Sequence, residues 1–176
     1  TMRSTIPNDP LLVNQWSMNN TGQTGGTADA DIDAIEAWDS TTGGTTALGD
    51  QIVIAVIDGG FDLNHADLSF FKNILDAPGN GIDDDSNGYI DDYHGWNAYN
   101  SNGNLPGDNH GTHVSGICAA KGNNGLGVSG VNWNAKVMPV AGSATNEATV
   151  VRAYGYVLEM RKRYNETNGA AGAFVV

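Results

Sequence analysis

The sequence is poor in cysteine and in basic residues, and it has no long apolar run. Its only cysteine, Cys118, excludes an internal disulfide and is predicted to be a small packing residue. No segment approaches the roughly 20 apolar residues of a membrane-spanning helix, so we expect no membrane partner. Eight Lys and Arg against 20 Asp and Glu give a net charge of −12. That charge argues against a nucleic-acid partner, because phosphates require a cationic surface.

Three short apolar segments predict β-strands: QIVIAVIDGG at 51–60, KVMPVAG and GAFVV. The first is rich in β-branched residues, which is typical of a strand buried in a parallel sheet. Asp58 stands at its carboxyl end, the edge of an open α/β sheet where functional groups collect. Helical segments between the strands predict a parallel α/β sheet. Because the last strand coincides with the end of the sequence, we expect an incomplete sheet and low stability for 1–176 by itself.

Three helices are predicted. In DADIDAIEAW, Ile32, Ile35 and Trp38 share one face at helical spacing. A second helix is expected over 110–120, with Asn109 or His110 as its cap. The third, in NEATVVRAYGYVLEMRKRYNETNG, is stopped by Asn168-Gly169, and its basic run at 161–163 is expected on a solvated face. Its predicted apolar face consists of Val150, Tyr154, Val157, Leu158 and Tyr164.

The segment DNHGTHVSGICAA holds two histidines, His110 and His113, three positions apart. A zinc-binding helix of the metalloprotease type spaces its histidines by four and places a glutamate beside the first, so zinc is disfavoured here. A structural pair and a single catalytic base both stay open for the histidines taken by themselves. Asp58 favours the catalytic alternative, because a strand-end carboxylate can orient an imidazole and stabilise its protonated form.

Two motifs, VIAVIDGGFDLNHADL and HGTHVSGICAA, in that order resemble the Asp and His motifs of the subtilisin-like serine proteases. The opening NDPLLVNQWSMNNTG is similar to the entry segment of the thermitase-like branch. The resemblance implies a parallel-sheet subtilisin-like α/β fold, with Asp58 as the triad acid, His110 as the general base and His113 as a structural neighbour. It also implies a secreted endopeptidase with a polypeptide substrate. Gly59 departs from the Thr or Ser usual in the family after the Asp, which removes a hydroxyl near the triad acid.

No serine of the sequence has the Gly-Thr-Ser-Met-Ala type of setting that surrounds the nucleophile of this family. The resemblance therefore implies that 1–176 is the N-terminal portion of a peptidase domain, ending before the oxyanion-hole and nucleophile segments. We expect this chain to be inactive by itself, because a base without a nucleophile activates nothing. Its expected partner is the C-terminal remainder of the same protein. The alternative is a catalytically inactive, calcium-binding relative with a structural or partner-binding role.

An acidic stretch, GIDDDSNGYIDD, alternates oxygen-bearing side chains in the manner of the first half of an EF-hand loop. A glycine follows for the turn, and the closing ligand would come from Asp91, Asp92 or water. The predicted calcium ligands here are Asp83, Asp85, Asn87, the Tyr89 carbonyl and Asp92; a solvated acidic turn is the alternative.

A second calcium site is implied only by the resemblance. It would use Asp9 in NDP, Asp67 in HADL and Asn124 in GNNGLGV. Ca²⁺ is therefore the one cofactor that the sequence predicts.

Overall fold

The computed structural model describes residues 5–143 and 146–176. Four parallel strands form one sheet in the order β2-β3-β1-β4, which confirms the predicted parallel α/β architecture. The strands are β1 (Ile52–Asp58), β2 (Trp96–Asn97), β3 (Lys136–Ala141) and β4 (Phe174–Val175).

Strand β1 lies inside the sheet and is covered on both faces. Its side chains at 53, 55 and 57 join one apolar cluster, whereas those at 52, 54 and 56 join another. This alternation follows the two-residue period of a strand, and burial on both faces explains why the run is apolar without interruption. The register pairs Asp58 with Ala141, so the two inner strands end together.

Three helices accompany the sheet: α1 (Ala34–Trp38), α2 (Asn109–Ala119) and α3 (Glu147–Thr167). Helix α1 is shorter than the periodicity predicted. It begins after Asp33, whose φ of 54° is left-handed, and Ile32 lies outside it with 55% of its surface exposed. Ile35 and Trp38 are buried as expected.

Helix α3 ends as predicted, with Asn168 in the left-handed conformation at its C-cap. Its predicted apolar face is confirmed only in part: Val157 packs against the core, but Tyr154 and Leu158 are 63% and 69% exposed. The helix packs instead through small and differently placed side chains. A Cβ on Gly142, just after β3, would lie 2.6 Å from the Cβ of Ala153, so at this point the helix must carry a small side chain. The residues buried on this side are Thr149, Ala153, Tyr156 and Met160.

The segment between β1 and α2 has little regular structure, as predicted. It contains the two-residue strand β2, too short for periodicity to reveal, and a 3₁₀ turn at Asp92–His94. Within residues 5–143 and 146–176, no helix has the length and apolar character needed to cross a membrane.

Candidate active site

Asp58 is the last residue of β1 and is almost completely buried, with 8% of its surface exposed. Its backbone carbonyl accepts a hydrogen bond from the backbone N–H of Gly142 at 2.9 Å. Its carboxylate Oδ1 accepts from the backbone N–H of Gly59 at 2.7 Å. These contacts fix the position of the carboxylate at the end of the sheet.

His110 lies in the first turn of α2. The helix is capped by Asp108, not by Asn109 or His110 as the sequence suggested. Asp108 has extended backbone angles, and its Oδ1 accepts from the backbone N–H of His110 at 2.8 Å. A capping carboxylate satisfies a helix N–H that has no partner within the helix. The cap therefore holds the histidine backbone directly.

The imidazole of His110 meets the carboxylate of Asp58. Its Nδ1 lies 2.8 Å from Oδ2 and 3.0 Å from Oδ1. The carboxylate accepts a hydrogen bond from the Nδ1–H group in this arrangement, which leaves Nε2 as the basic nitrogen. The His110 side chain is 74% exposed, whereas that of Asp58 is 11% exposed. In the described part of the chain, Nε2 makes no hydrogen bond, so it is available to an incoming hydroxyl.

The two elements approach so closely because glycine stands at the contact. A Cβ on Gly111 would overlap the carbonyl oxygen of Gly60 and would lie 2.9 Å from the Cβ of Asp58. Contacts under 3.0 Å to backbone atoms require the backbone itself to move. The glycine after the histidine therefore sets the distance between α2 and the end of β1.

His113 has different surroundings from His110. It is exposed and, with His65, lines a groove of about 580 Å³ on the same helix. No hydrogen bond joins it to Asp58 among the residues that the structure describes. The structure thus brings His110, but not His113, to the carboxylate. Burial raises the pKa of the Cys118 thiol, in keeping with the packing role predicted for it.

Four of the predicted calcium ligands form one cluster in the acidic loop. The backbone N–H of Asn87 donates to Asp83 at 2.9 Å and to Asp85 at 3.0 Å. The side-chain amide of Asn87 donates to Asp92 at 3.0 Å. Tyr89 donates its backbone N–H to the Asn87 side chain, while its ring packs into the core.

Two further residues of this cluster escaped the motif because they precede it. Asn73 donates from its side chain to Asp92 at 2.7 Å and to Asp85 at 3.1 Å. Asp76, 1% exposed, accepts from the backbone N–H groups of Asp84 and Asp92 at 3.1 and 2.8 Å. The alternating pattern gave no signal for them, since they are ordinary loop residues in sequence.

The third missed residue is Arg163 of α3. The basic run was expected on a solvated face, but the Arg163 side chain is only 18% exposed and its Nη1 lies 3.4 Å from the Asp85 carboxylate. Its Nη2 also donates to the carbonyl oxygens of Asp85 and Ser86, at 3.0 and 2.7 Å. One guanidinium therefore ties α3 to the acidic loop, since its fork of donors can serve several oxygens.

Asp92 is the carboxylate of this cluster that burial disturbs most. It is fully buried, and its desolvation raises its pKa to about 7 in the absence of a cation. The buried hydroxyl of Tyr156 lies near it without a hydrogen-bond partner among the described residues. In that same part of the chain, no three Asp, Glu, His or Cys side chains converge closely enough to hold a metal ion. A cation here would need amide, carbonyl or water oxygens as well.

The second predicted group also comes together. Asp9 accepts from the backbone N–H of Asn124 at 3.1 Å and from the Ser129 hydroxyl at 2.6 Å. Asp67 accepts from the Asn124 side-chain amide at 2.7 Å. Both carboxylates are buried, with 4% and 5% exposed, and neither has a cationic partner in the described ranges.

Comparison with known proteins assigns the chain to a family. Residues 49–167, more than half of the chain, match the model of the Subtilase family. The "Subtilisin-like protease 1" of Plasmodium vivax is 49% identical over 89 residues, covering 48% of this chain and 14% of that protein. The "Extracellular protease" of Xanthomonas campestris is 38% identical over 146 residues, covering 76% of this chain and 22% of that protein.

Among solved structures, the serine protease of Aeromonas sobria in complex with a chaperone superposes with a TM-score of 0.59 and 24% identity. This match covers 88% of the present chain and 23% of the Aeromonas chain. It supports the subtilisin-like fold. The chain belongs to the subtilase family, and it is similar over 48% and 76% of its length to the two curated proteases named above. It spans about a fifth or less of the first curated relatives that it matches.

Proposed function

We propose that the complete protein is a serine endopeptidase in which Asp58 and His110 are two members of an Asp-His-Ser triad. The observation that carries the proposal is the 2.8 Å contact between Nδ1 of the largely exposed His110 side chain and the buried Asp58 carboxylate. This contact determines the tautomer that general-base catalysis requires. Membership of the subtilase family supports the same assignment.

In the proposed reaction a serine hydroxyl meets His110 Nε2. The serine oxygen forms a bond to the peptide carbonyl carbon as its proton passes to Nε2, and Asp58 stabilises the imidazolium without taking the proton itself. The C–N bond then breaks, Nε2 returns the proton to the leaving amine, and an acyl-enzyme results. Water then attacks the ester carbonyl as Nε2 takes its proton; the bond from the acyl carbon to the serine oxygen breaks, the carboxylic acid product leaves, and Nε2 returns the proton to the serine oxygen. His110 is thus base and acid in turn.

The serine of this reaction is proposed to come from the C-terminal remainder of the same protein. In the described residues no serine contacts Nε2, so residues 1–176 by themselves are proposed to be inactive. The runner-up is a catalytically inactive subtilase module with a structural or partner-binding role, and Gly59 is the residue that favours it. The substrate is proposed to be a polypeptide, and the site of action extracellular or at the cell surface. One relative is named an extracellular protease, which supports secretion.

We further propose that two groups of residues bind Ca²⁺. In the acidic loop, Asp83, Asp85, Asn87 and Asp92, with the Tyr89 carbonyl, would supply the oxygens. The donor set is suitable, because it consists of oxygen ligands with more carboxylates than its single guanidinium neutralises. A bound cation would offset the cost of burying the Asp92 charge and would hold a long loop that lacks regular structure.

At the second group, Asp9, Asp67 and Asn124 would be ligands. Two nearly buried carboxylates with no cation near them in the described ranges support this proposal. Both ions would be structural, because neither group includes Asp58 or His110.

The first test is labelling with a fluorophosphonate in the presence of calcium, read on a denaturing gel. The complete protein should incorporate the label, and H110A should not, because the serine is not activated without its base. The isolated segment 1–176 should stay unlabelled. Complete protein that is folded by circular dichroism but takes up no label would contradict the proposed activity and favour the inactive module.

A further inference from the structure

A carboxylate that the triad does not use lies between the two elements that carry the dyad. Asp108 touches the base-bearing helix through one oxygen, since its Oδ1 accepts from the backbone N–H of His110 at 2.8 Å. Its backbone carbonyl is also engaged, because the Thr112 hydroxyl donates to it at 2.6 Å. The residue is therefore tied to the first turn of α2 by both its side chain and its main chain.

The other oxygen of Asp108 lies against the acid-bearing strand end. A Cβ built on Gly59 would be 2.7 Å from Asp108 Oδ2, and one on Gly60 would be 3.2 Å from Asp108 Cβ. These two glycines follow Asp58 directly, and the backbone N–H of Gly59 donates to the Asp58 carboxylate at 2.7 Å. Asp108 thus lies beside the backbone that orients the acid and is hydrogen-bonded to the backbone that carries the base.

The absence of a side chain at position 59 makes this contact possible. Gly59 is not in the left-handed region, so alanine would be acceptable to its backbone and would conflict with its neighbour only through Asp108. The end of a flexible side chain can usually move aside. Here Oδ1 is held by the helix cap, and moving the carboxylate would release the N–H of His110.

We propose that Asp108 is a positioning residue for the Asp58–His110 pair. Gly59, which has no side chain, leaves room for the Asp108 carboxylate. This inference rests on the proposed function for its kinetic consequence, but its geometric part does not depend on hydrolysis. The departure at Gly59 from the family pattern then has a role. The Asp108 carboxylate, at the start of α2, occupies the place where a side chain at position 59 would lie.

Two measurements on the complete protein test the proposal. The first is the tautomer of His110, read from the ¹⁵N shifts of its ring in histidine-labelled protein, with H110Q to identify the signals. The second is kcat for peptide hydrolysis, which small misplacements of a base lower steeply. D108A should mix the two tautomers and lower kcat by about 10- to 100-fold, whereas D108S, which keeps a capping oxygen, should recover most of both.

N146A is the matched control. Asn146 caps α3 through the same kind of bond, with its side chain accepting from the backbone N–H of Ala148 at 2.9 Å, but this helix carries no member of the dyad. The melting temperature should fall by a similar amount in N146A and D108A. Only D108A should change the His110 tautomer and kcat.

A double-mutant comparison tests the space at position 59. G59A should lower kcat by about 10-fold when Asp108 is present, and by less than about 2-fold in the D108S background, where the shorter side chain leaves room. Equal losses in both backgrounds, or a D108A protein with the parent tautomer and kcat, would overturn the proposal and reduce Asp108 to a simple cap. If no variant and no parent hydrolyses peptide, the proposed function fails, and the tautomer comparison still decides the positioning role.

Discussion

The dyad and the acidic loop both hold buried carboxylates, yet they do so by opposite means. At the dyad, Asp58 is positioned by the end of a strand and His110 by the start of a helix, and glycines let the two backbones touch. In the loop, Asp83, Asp85 and Asp92 are positioned by hydrogen bonds from amides, with regular structure nearly absent. The dyad depends on close packing of the backbone, and the loop depends on hydrogen bonds to its carboxylates. We therefore expect steric changes to damage the dyad and charge changes to damage the loop.

The largest effect is expected from H110A in the complete protein. Loss of the general base should lower kcat by about 10⁴- to 10⁶-fold, with little change in KM. H113A is the matched control, because its side chain lies three residues on in the same helix without contacting Asp58, and its kcat should stay within about 3-fold of the parent. An equal loss in the two variants would overturn the assignment of a single base.

A purely steric change should come next. G111A adds one methyl group where the Gly60 carbonyl oxygen and Asp58 already lie, and it should cost about 1–3 kcal/mol of unfolding free energy and about 100-fold in kcat. The control is G116A in the same helix, where a Cβ meets nothing within 4 Å and the gain in helix propensity should stabilise the protein by up to about 1 kcal/mol. Denaturant unfolding measures both, and a neutral G111A would show that the close approach is not needed.

Calcium should distinguish the two regions by charge. At a free concentration of 100 times Kd, each occupied site should add about 2.7 kcal/mol to the unfolding free energy relative to a chelator. D92N should lower the melting temperature in chelator, because its amide nitrogen would face one of the two donors from Asn73 and Asn87, and it should reduce the gain from calcium, because a charged ligand is lost. E36Q removes the same charge from an exposed position on α1 and should change neither. If calcium stabilises D92N as much as it stabilises the parent protein, the proposed calcium site in the acidic loop is wrong.

The smallest effect is expected at the contact between α3 and the loop. R163A should cost about 1–2 kcal/mol, since the carbonyl oxygens of Asp85 and Ser86 lose their donor and the Asp85 carboxylate loses its cation. R163K should recover less than half of this, because an ammonium has no planar fork. K162A, whose side chain is 55% exposed with its nearest carboxylate 3.7 Å away, should stay within about 0.5 kcal/mol. Thermal unfolding of the three variants side by side would show whether the guanidinium fastens the loop.

Much of the dyad region could be predicted from sequence because the relevant signals are local. Six apolar residues followed by Asp58 predict a buried strand and its end, and the structure has both. The exact cap was missed, although an Asp two residues before His110 is a common capping pattern. The approach of α2 to β1 through Gly111 could not be derived, since Gly116 gives the same signal in the same helix and its Cβ would meet nothing within 4 Å.

The contacts of α3 show why the rest was out of reach. Hydropathy selected Tyr154 and Leu158 for burial, but the space beside Gly142 accepts only a side chain as small as Ala153. Likewise Arg163 meets the Asp85 carbonyl across 78 positions of sequence, and no periodicity encodes such a pair. Packing shape and long-range polar contacts are properties of the assembled fold, which a linear pattern does not contain.

The contact between Nδ1 of His110 and Asp58 joins residues 52 apart within a single stretch of chain. The rotation of the imidazole is consequently stopped when β1 and α2 pack together, before any substrate is present. In the proposed reaction, the entropy of orienting the base would therefore be lost during folding and not during catalysis. A hydroxyl that reaches Nε2 would then meet a nitrogen whose position is already fixed. Only the conformational entropy of the hydroxyl group would still be lost.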